Sequence, residues 1–489
     1  MKNNGIALKM TAAFICLLIS VSAVSCAGSD TGASDTPQMP AGDIETASAV
    51  PETEAEIPLP DVDYAGADLN IIYLVSGYAG QDYNDIYVAE QSGDSIDDGT
   101  YERNRLAEEL LNINISAVSS DQPTSAVMKS VQSGDGAYQL VQDKGVSMMS
   151  SLAPEKMLMD MNAIPGLNLD QKWYNQRFHA STSIAGKLYM ISCDMTVSDK
   201  IGMACTMYNK KLASDFSLPD MYAVVSDGKW TIDNLASYIS AASADIDGNG
   251  KMDKKDRYGL LCEDFYGWFM MVTGGAMIAE KDKDDIPYFT VVSDRAVTVL
   301  GKIQDIMYDK ERRAGSNYVI EDYYSMFGEN RALFHMNVLS TVAQYRDMES
   351  DFGIIPLPKY DEAQDSYIST MSNYVSRYLA IPVTVNDPGM VGNVVDVMSR
   401  FGGDTVVKGY YDILLKGKVS RDNDSEEMLN LIFDTMIVDL GSVYNWGGCW
   451  FMYQQHFSGK DVNIASSWEK ISSSAQADLD KMISTFING

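Results

Sequence analysis

The chain has 489 residues, more than one compact core accommodates, and its 46% apolar and 21% charged content is that of a folded globular protein, not of a disordered chain or a polytopic membrane protein. Its 68 acidic against 37 basic residues leave a formal charge of −31, which repels nucleic acid and argues against a nucleic-acid partner. Tyr (28) and Met (29) are both abundant, which suits a recognition surface and core packing alike.

At the N-terminus, Lys2 and Lys9 flank the start of an apolar run, Met10 to Val24, of signal-peptide length and shorter than a membrane span. The run ends in Ala23-Val24-Ser25-Cys26. Small residues before a cysteine resemble a bacterial lipobox, with Ala23 where Leu is commonest. The expectation is cleavage before Cys26 and a lipid on that residue; the alternative is an ordinary signal peptide cut after a small residue. Residues 1–25 are therefore read as a lipoprotein signal peptide, and 26–66 as the lipidated Cys followed by a disordered acidic linker. That linker is rich in Ala, Asp, Glu, Ser, Thr, Gly and Pro and cannot bury a core. As a coil of about 40 residues it reaches roughly 35 Å. The predicted location is the extracellular face of the cytoplasmic membrane of a Gram-positive-type bacterium. Acyl chains do the anchoring there, because an acidic body resists anionic lipid.

The folded part opens with a β-rich run, Ala67 to Ser76, which reads as a buried first strand ending at Gly77. Leu106, Leu110 and Leu111 share one side of a helix over 101–111, and Ile113 to Val118 alternates as a strand. A helix near 124–132 and a strand at 138–141 follow, completing the rhythm of an α/β unit with a parallel sheet. Further strands are predicted after Gly186 and at 203–208. A helix is predicted from Ile232, with Thr231 as its N-cap and Ile232, Leu235, Ala236, Ile239 and Ala242 as its apolar stripe. Residues 323–339 and 352–358 read as helix, strand and strand, and the last hundred residues as mainly helical. Cys193, Cys205, Cys262 and Cys449 match no zinc spacing and no dense disulfide framework; buried free thiols are the simpler reading, with a disulfide left open.

The sharpest local motif is Asp245-Ile246-Asp247-Gly248-Asn249-Gly250-Lys251-Met252-Asp253-Lys254-Lys255-Asp256. It sets oxygen side chains at positions 1, 3, 5, 9 and 12 of a twelve-residue loop with glycine at 6, the pattern by which hard oxygens surround Ca²⁺. The predicted ligands are Asp245, Asp247, Asn249, Lys251 through its carbonyl, Asp253 and Asp256, with Asp where Glu is usual at position 12. A structural Ca²⁺ is expected; the alternative is an Asp/Gly-rich turn without metal.

Several passages resemble the family 1 extracellular solute-binding proteins of bacterial ABC importers. These are Gly186-Lys187-Leu188-Tyr189 with Tyr208-Asn209-Lys210-Lys211-Leu212, Asp227-Gly228-Lys229-Trp230-Thr231, Phe327 to Phe334, and Asp351 to Lys359. Arg421 to Leu429 resembles a clostridial branch of that family. The likeness runs from about residue 66 to the C-terminus. It implies a two-lobe, periplasmic-binding-protein-like α/β fold of type II, each lobe a mainly parallel sheet flanked by helices. By that resemblance lobe 1 takes 67–185 plus 318–372 and lobe 2 takes 186–317 plus 373–489.

The resemblance also implies a carbohydrate, an oligosaccharide by expectation, held between the lobes of a monomer and delivered to permease subunits, with no bond made or broken. Flat aromatics with fixed polar partners suit a sugar's apolar faces and hydroxyl rim. The implied ligand contacts are Tyr78, Gln142, Asp143, Asp194, Asp264, Tyr266, Trp268, Asn337, Trp446 and Trp450. For each aromatic, plain core packing is the competing reading. No metalloprotease His spacing, nucleophile elbow, P-loop or dinucleotide fingerprint occurs. The rival readings are a secreted glycan-active hydrolase, since 68 acids always contain some pair, and a surface glycan-binding adhesin.

Overall fold

A computed structural model of the chain describes residues 57–75, 83–315, 324–415, 423–458 and 463–488. Tyr78, Cys26, the signal peptide and most of the linker lie outside the described residues. Eleven strands are described: β1 (Ala67–Leu74), β2 (Ile113–Ser120), β3 (Leu140–Asp143), β4 (Ala204–Asn209), β5 (Tyr258–Leu261), β6 (Ala279–Lys281), β7 (Pro287–Phe289), β8 (Arg313–Ala314), β9 (Ala332–Val338), β10 (Phe352–Ile355) and β11 (Tyr378–Ala380).

β1 forms as predicted, because its β-branched run is buried on both faces. Leu69 and Ile71 enter one apolar cluster with Leu140, Val391 and Val394, whereas Ile72 and Val141 enter a second, larger cluster. This period-two division is what a parallel strand covered on both sides requires. β1 pairs in parallel with β2 from Ala67↔Ile113 to Leu74↔Ser120, and with β3 from Ile71↔Leu140 to Tyr73↔Gln142. β11 adds antiparallel to β3, giving the order β11-β3-β1-β2. The helix Ser95–Leu111 starts six residues before its predicted stretch, because Asp94 accepts from the amides of Ile96 and Asp97 and caps it.

The second sheet has the order β10-β4-β9-β5-β8, with β5 parallel to β8 and β9 and with β4 antiparallel to both neighbours. Two sheets with their own helices make two lobes. The chain crosses between them in two adjacent passages, tied by antiparallel bridges at Ile191↔Leu379 and Met203↔Met371. The helix Pro388–Gly402 then packs on Ser95–Leu111 in the first lobe. Gly402 is needed where it meets the first crossing, because a Cβ there would lie 1.9 Å from the Asp194 carbonyl oxygen.

The lobe boundaries expected from sequence need correction. Residues 318–372 were expected in lobe 1, yet β9 and β10 are hydrogen-bonded into the sheet of β4 and β5. Conversely β11 and the helix Pro388–Gly402, expected in lobe 2, complete the first sheet and its outer layer. Both segments are apolar strand–helix passages, and local pattern carries no label for which sheet a strand joins. The C-terminal helices Cys449–Ser458 and Ile464–Asn488 stand on the second lobe, where the first packs on Tyr266–Thr273 and Asp294–Met307.

Candidate functional site: an inter-lobe cleft

The parallel strands β1 and β3 of the first lobe end at the boundary with the second, the kind of place where open α/β sheets leave a crevice. A cavity of about 730 Å³ lies there. The first lobe supplies Leu74 from the end of β1, Gln122 and Thr124 from the start of the next helix, and Asp143 and Lys144 from the end of β3. The second lobe supplies Tyr444, Asn445, Trp446, Phe451, Asp478 and Lys481. A second pocket of about 330 Å³ is lined by Phe265, Tyr266, Tyr324, Asn337, Tyr374 and Gln454, among others. An open depression of about 700 Å³ along Phe451, Gln454, Gln455 and Ser458 shares Phe451 with the large cavity and Gln454 with the small pocket. One face of the Cys449–Ser458 helix thus joins the two into a groove.

Tyr266 and Asn337, predicted separately, meet: the Tyr266 hydroxyl donates to Asn337 Oδ1 at 2.9 Å in the small pocket. Burial holds the Tyr266 phenol well above its usual range, so it stays a neutral donor. Asp143 reaches the large cavity, but its carboxylate accepts from the Thr124 amide (3.0 Å) and hydroxyl (2.6 Å) and from the Lys144 amide (2.7 Å), which makes it a helix anchor. Trp446 also lines the large cavity, parallel to Tyr444 with ring centres 5.0 Å apart and only 3% exposed, so it presents little face.

The other expected contacts within the described residues do not line these pockets, and their packing explains why. Trp268 lies within Tyr266–Thr273, where all eight residues are buried, against Tyr453 at 5.2 Å. A helix apolar all round is a core helix, so its tryptophan offers no open ring. Trp450 is 2% exposed beneath Tyr374 and Phe451. Asp264 is buried against Arg313 at 3.0 Å. Asp194 pairs with Lys200 at 2.9 Å on the first crossing, where burial raises its carboxyl and the ammonium opposes that rise. Gln142 is fully buried, its amide donating to Ser198 Oγ at 3.2 Å.

The rings that open on the groove were not singled out from sequence: Phe451, 48% exposed, and the half-buried Phe265 and Tyr374. A signal was available. Phe451, Gln454 and Ser458 recur at helical spacing beside the buried Trp450, so one turn carries both an inward and an outward ring.

In the acidic loop, Asp245, Asp247 and Asp256 each bring a carboxylate oxygen within 4.8 Å of the others. Asp245 accepts from the amides of Gly248 (2.8 Å) and Gly250 (2.7 Å), and the buried Asp256 accepts from Ile246 and Asp253 (both 2.8 Å). Gly248 and Gly250 both have positive φ, which suits glycine in the tight turns. The donor set, hard carboxylates converging on one point, fits a divalent cation; Asp253 instead accepts from the Lys255 amide at 2.8 Å. None of the loop lines the groove. The four cysteines are free and buried; burial pushes the Cys193 and Cys262 thiols up to about 12 and so makes them unreactive.

No known family model and no curated protein matches the sequence. Solved structures match in fold. A cyclo/maltodextrin-binding protein complexed with maltotetraose aligns with a TM-score of 0.54 at 14% identity, over 89% of this chain and 98% of that one. An ABC substrate-binding protein from Listeria monocytogenes in complex with cycloalternan gives 0.52 at 12% identity, over 86% and 99%. The chain has the two-lobe solute-binding fold. A receptor of Streptomyces glaucescens, solved unliganded and with acarbose, gives 0.51 at 12% identity, again over 86% and 99%. At these identities the solute-binding fold is what is shared, and the groove must be argued from its own residues.

Proposed function

We propose that the protein is the extracellular substrate-binding lipoprotein of an ABC importer, which captures a neutral oligosaccharide between its lobes and hands it to a permease without chemistry. The observation that carries this is the groove. Its large cavity has one wall from each lobe and sets Phe451 beside Gln122, and its smaller end sets Tyr374 and Phe265 beside the uncharged polar groups of Gln454, Asn337 and Tyr324. Flat rings beside neutral hydrogen-bonding groups are what a sugar needs. The similar structures named above hold maltotetraose, cycloalternan and acarbose, which supports the same ligand class here.

Titration of an oligosaccharide panel, read by tryptophan emission and heat, tests the reading. Saturable binding with no release of reducing ends is the expected result. Binding of only a charged metabolite or a peptide removes the carbohydrate, and turnover of glycan removes the carrier role. The Ala23-Val24-Ser25-Cys26 passage supports a lipid on Cys26, a tether through the acidic linker and attachment outside the cytoplasmic membrane. The protein then works as a monomer, with the clostridial-type passage at Arg421 to Leu429 as its family affinity. Cys26→Ala should release it into the medium, and mass spectrometry should find diacylglycerol on the mature N-terminus. A structural Ca²⁺ in the 245–256 loop belongs to the same reading.

A further inference from the structure

We infer that the turn at Ile184–Lys187 in the first lobe and the β6–β7 hairpin of the second form a clasp that holds the lobes in the arrangement that builds the groove. The Gly186-Lys187-Leu188-Tyr189 passage does no work in the groove itself, yet it is one of the places where the lobes touch. Asp285 sits at the hairpin turn with φ +62°. Its carboxylate accepts from Ser183 Oγ at 3.1 Å and from the Gly186 amide at 2.9 Å, and its carbonyl accepts from the Ala185 amide at 2.9 Å. Lys281, four residues earlier, pairs with Asp285 at 2.5 Å. Its ammonium also donates to Ser183 O at 3.1 Å, to Ser183 Oγ at 3.0 Å and to Ala180 O. These carbonyls lie at the end of the helix Gln176–Thr182, where the last C=O groups lack helical partners and a cation is favoured.

The hairpin is pre-shaped for this, since Asp282 accepts from the amides of Asp284 and Ile286 (both 2.9 Å). The Lys281 and Asp285 side chains are only 19% and 26% exposed, so water screens them less than a surface pair. The seam continues from there. Tyr189 meets Phe486 edge-on at 4.6 Å, and Glu155 meets Lys481 at 3.5 Å on the rim of the large cavity. The bonds from Asp285 and Lys281 to residues 180–186, the Tyr189–Phe486 contact and the Glu155–Lys481 pair each join the first lobe to the second. A ligand that touches both walls binds only while the lobes hold this relation. Contacts across the seam therefore raise the binding-competent fraction, and with it the apparent affinity.

The affinity arm of the test rests on the carbohydrate reading; the other arms do not. Compare wild type, Asp285→Ala, Ser183→Ala and Lys283→Ala as purified full chains. Lys283 pairs with its neighbour Asp284 in the same turn, away from the first lobe's turn, and serves as control. In Asp285→Ala the amides of Ala185 and Gly186 should exchange with solvent about tenfold faster, and small-angle scattering should show a larger radius of gyration. Oligosaccharide affinity should fall roughly five- to fiftyfold, the effect of losing the carboxylate's bonds across the seam. Ser183→Ala should move each readout the same way and less, and it decides the matter if Asp285→Ala does not fold. Faster exchange with unchanged scattering and affinity would make this a local tie and overturn the clasp. If wild type binds no sugar, the functional reading fails while exchange and scattering still judge the clasp.

Discussion

Tyr266 and Asn337 are joined by a 2.9 Å hydrogen bond that closes a chain of neutral donors and acceptors behind the small pocket. Asn337 Nδ2 donates to Tyr324 Oη at 3.0 Å and lies 3.1 Å from His335 Nε2. An amide nitrogen can only donate, so Nε2 accepts and the His335 proton sits on Nδ1, facing the Tyr345 hydroxyl at 2.8 Å. The assignment makes every group in the chain neutral and fixes the floor of the pocket.

Asn337→Ala strips partners from a buried hydroxyl and a buried imidazole at once. Leaving buried polar groups unpaired costs about 1–3 kcal/mol each, so a denaturant midpoint should fall by an amount equivalent to several kcal/mol. Tyr266→Phe removes a donor and keeps the ring, and should cost about 1 kcal/mol. If the two variants are equally stable, the chain of bonds is not holding the pocket.

Acid should weaken the fold through its histidines. Burial pushes His335 down to about 3 and His179 to about 4, both below the ordinary imidazole value of 6.5. A group whose folded pKa is depressed gives stability that is present above about pH 6.5 and lost as pH falls towards the folded pKa. Unfolding free energy measured from pH 7 to pH 4.5 should therefore decline, and His335→Gln, which cannot titrate, should flatten that decline. An identical slope in the variant would remove His335 as a cause.

Much of the fold was legible because it rests on local pattern. β1, β2 and the Thr231-capped helix follow from β-branched runs, period-two alternation and a hydroxyl at the cap, which accepts from the Asn234 amide at 3.2 Å. The sheet to which β9, β10 and β11 belong was not legible, since pairing between distant segments is settled by tertiary contact. In the groove, the direction of each ring decided the outcome. Tyr266 and Asn337, named from the family resemblance, meet in the small pocket. Trp268 and Trp450 are buried, which is the core-packing alternative that the sequence left open for each aromatic. Gly267 in fact lets Phe457 close on the helix, since a Cβ there would lie 2.3 Å from the Phe457 ring.

Calcium should raise the melting temperature if the acidic loop binds it. Binding to the folded form alone stabilises by about 2.7 kcal/mol at a hundredfold excess over the dissociation constant. Asp247→Asn keeps one side-chain oxygen for the Asn249 amide, which donates to Asp247 Oδ1 at 3.1 Å, and removes one charge, so it should blunt the calcium response more than it changes the apo protein. Equal melting curves in calcium and in chelator would make the loop a turn and nothing more.

Phe451 and Trp268 separate recognition from packing. Phe451 is 48% exposed on the helix face that joins the two pockets, so Phe451→Ala removes a platform and leaves the core intact. Its affinity for an oligosaccharide should fall by about 1–3 kcal/mol, the scale of burying one large apolar side chain, which is roughly a fivefold to hundredfold weaker constant. Its melting temperature should barely move. Trp268 is buried against Tyr453, so Trp268→Ala opens a cavity and should cost about 3–5 kcal/mol of stability, while any protein that still folds keeps its sugar contacts. Calorimetric titration and thermal unfolding of both variants give the answer. The opposite result, with Trp268→Ala stable but unable to bind and Phe451→Ala binding as wild type, would move the sugar from the Cys449–Ser458 helix to the interior aromatics and overturn the groove as its site.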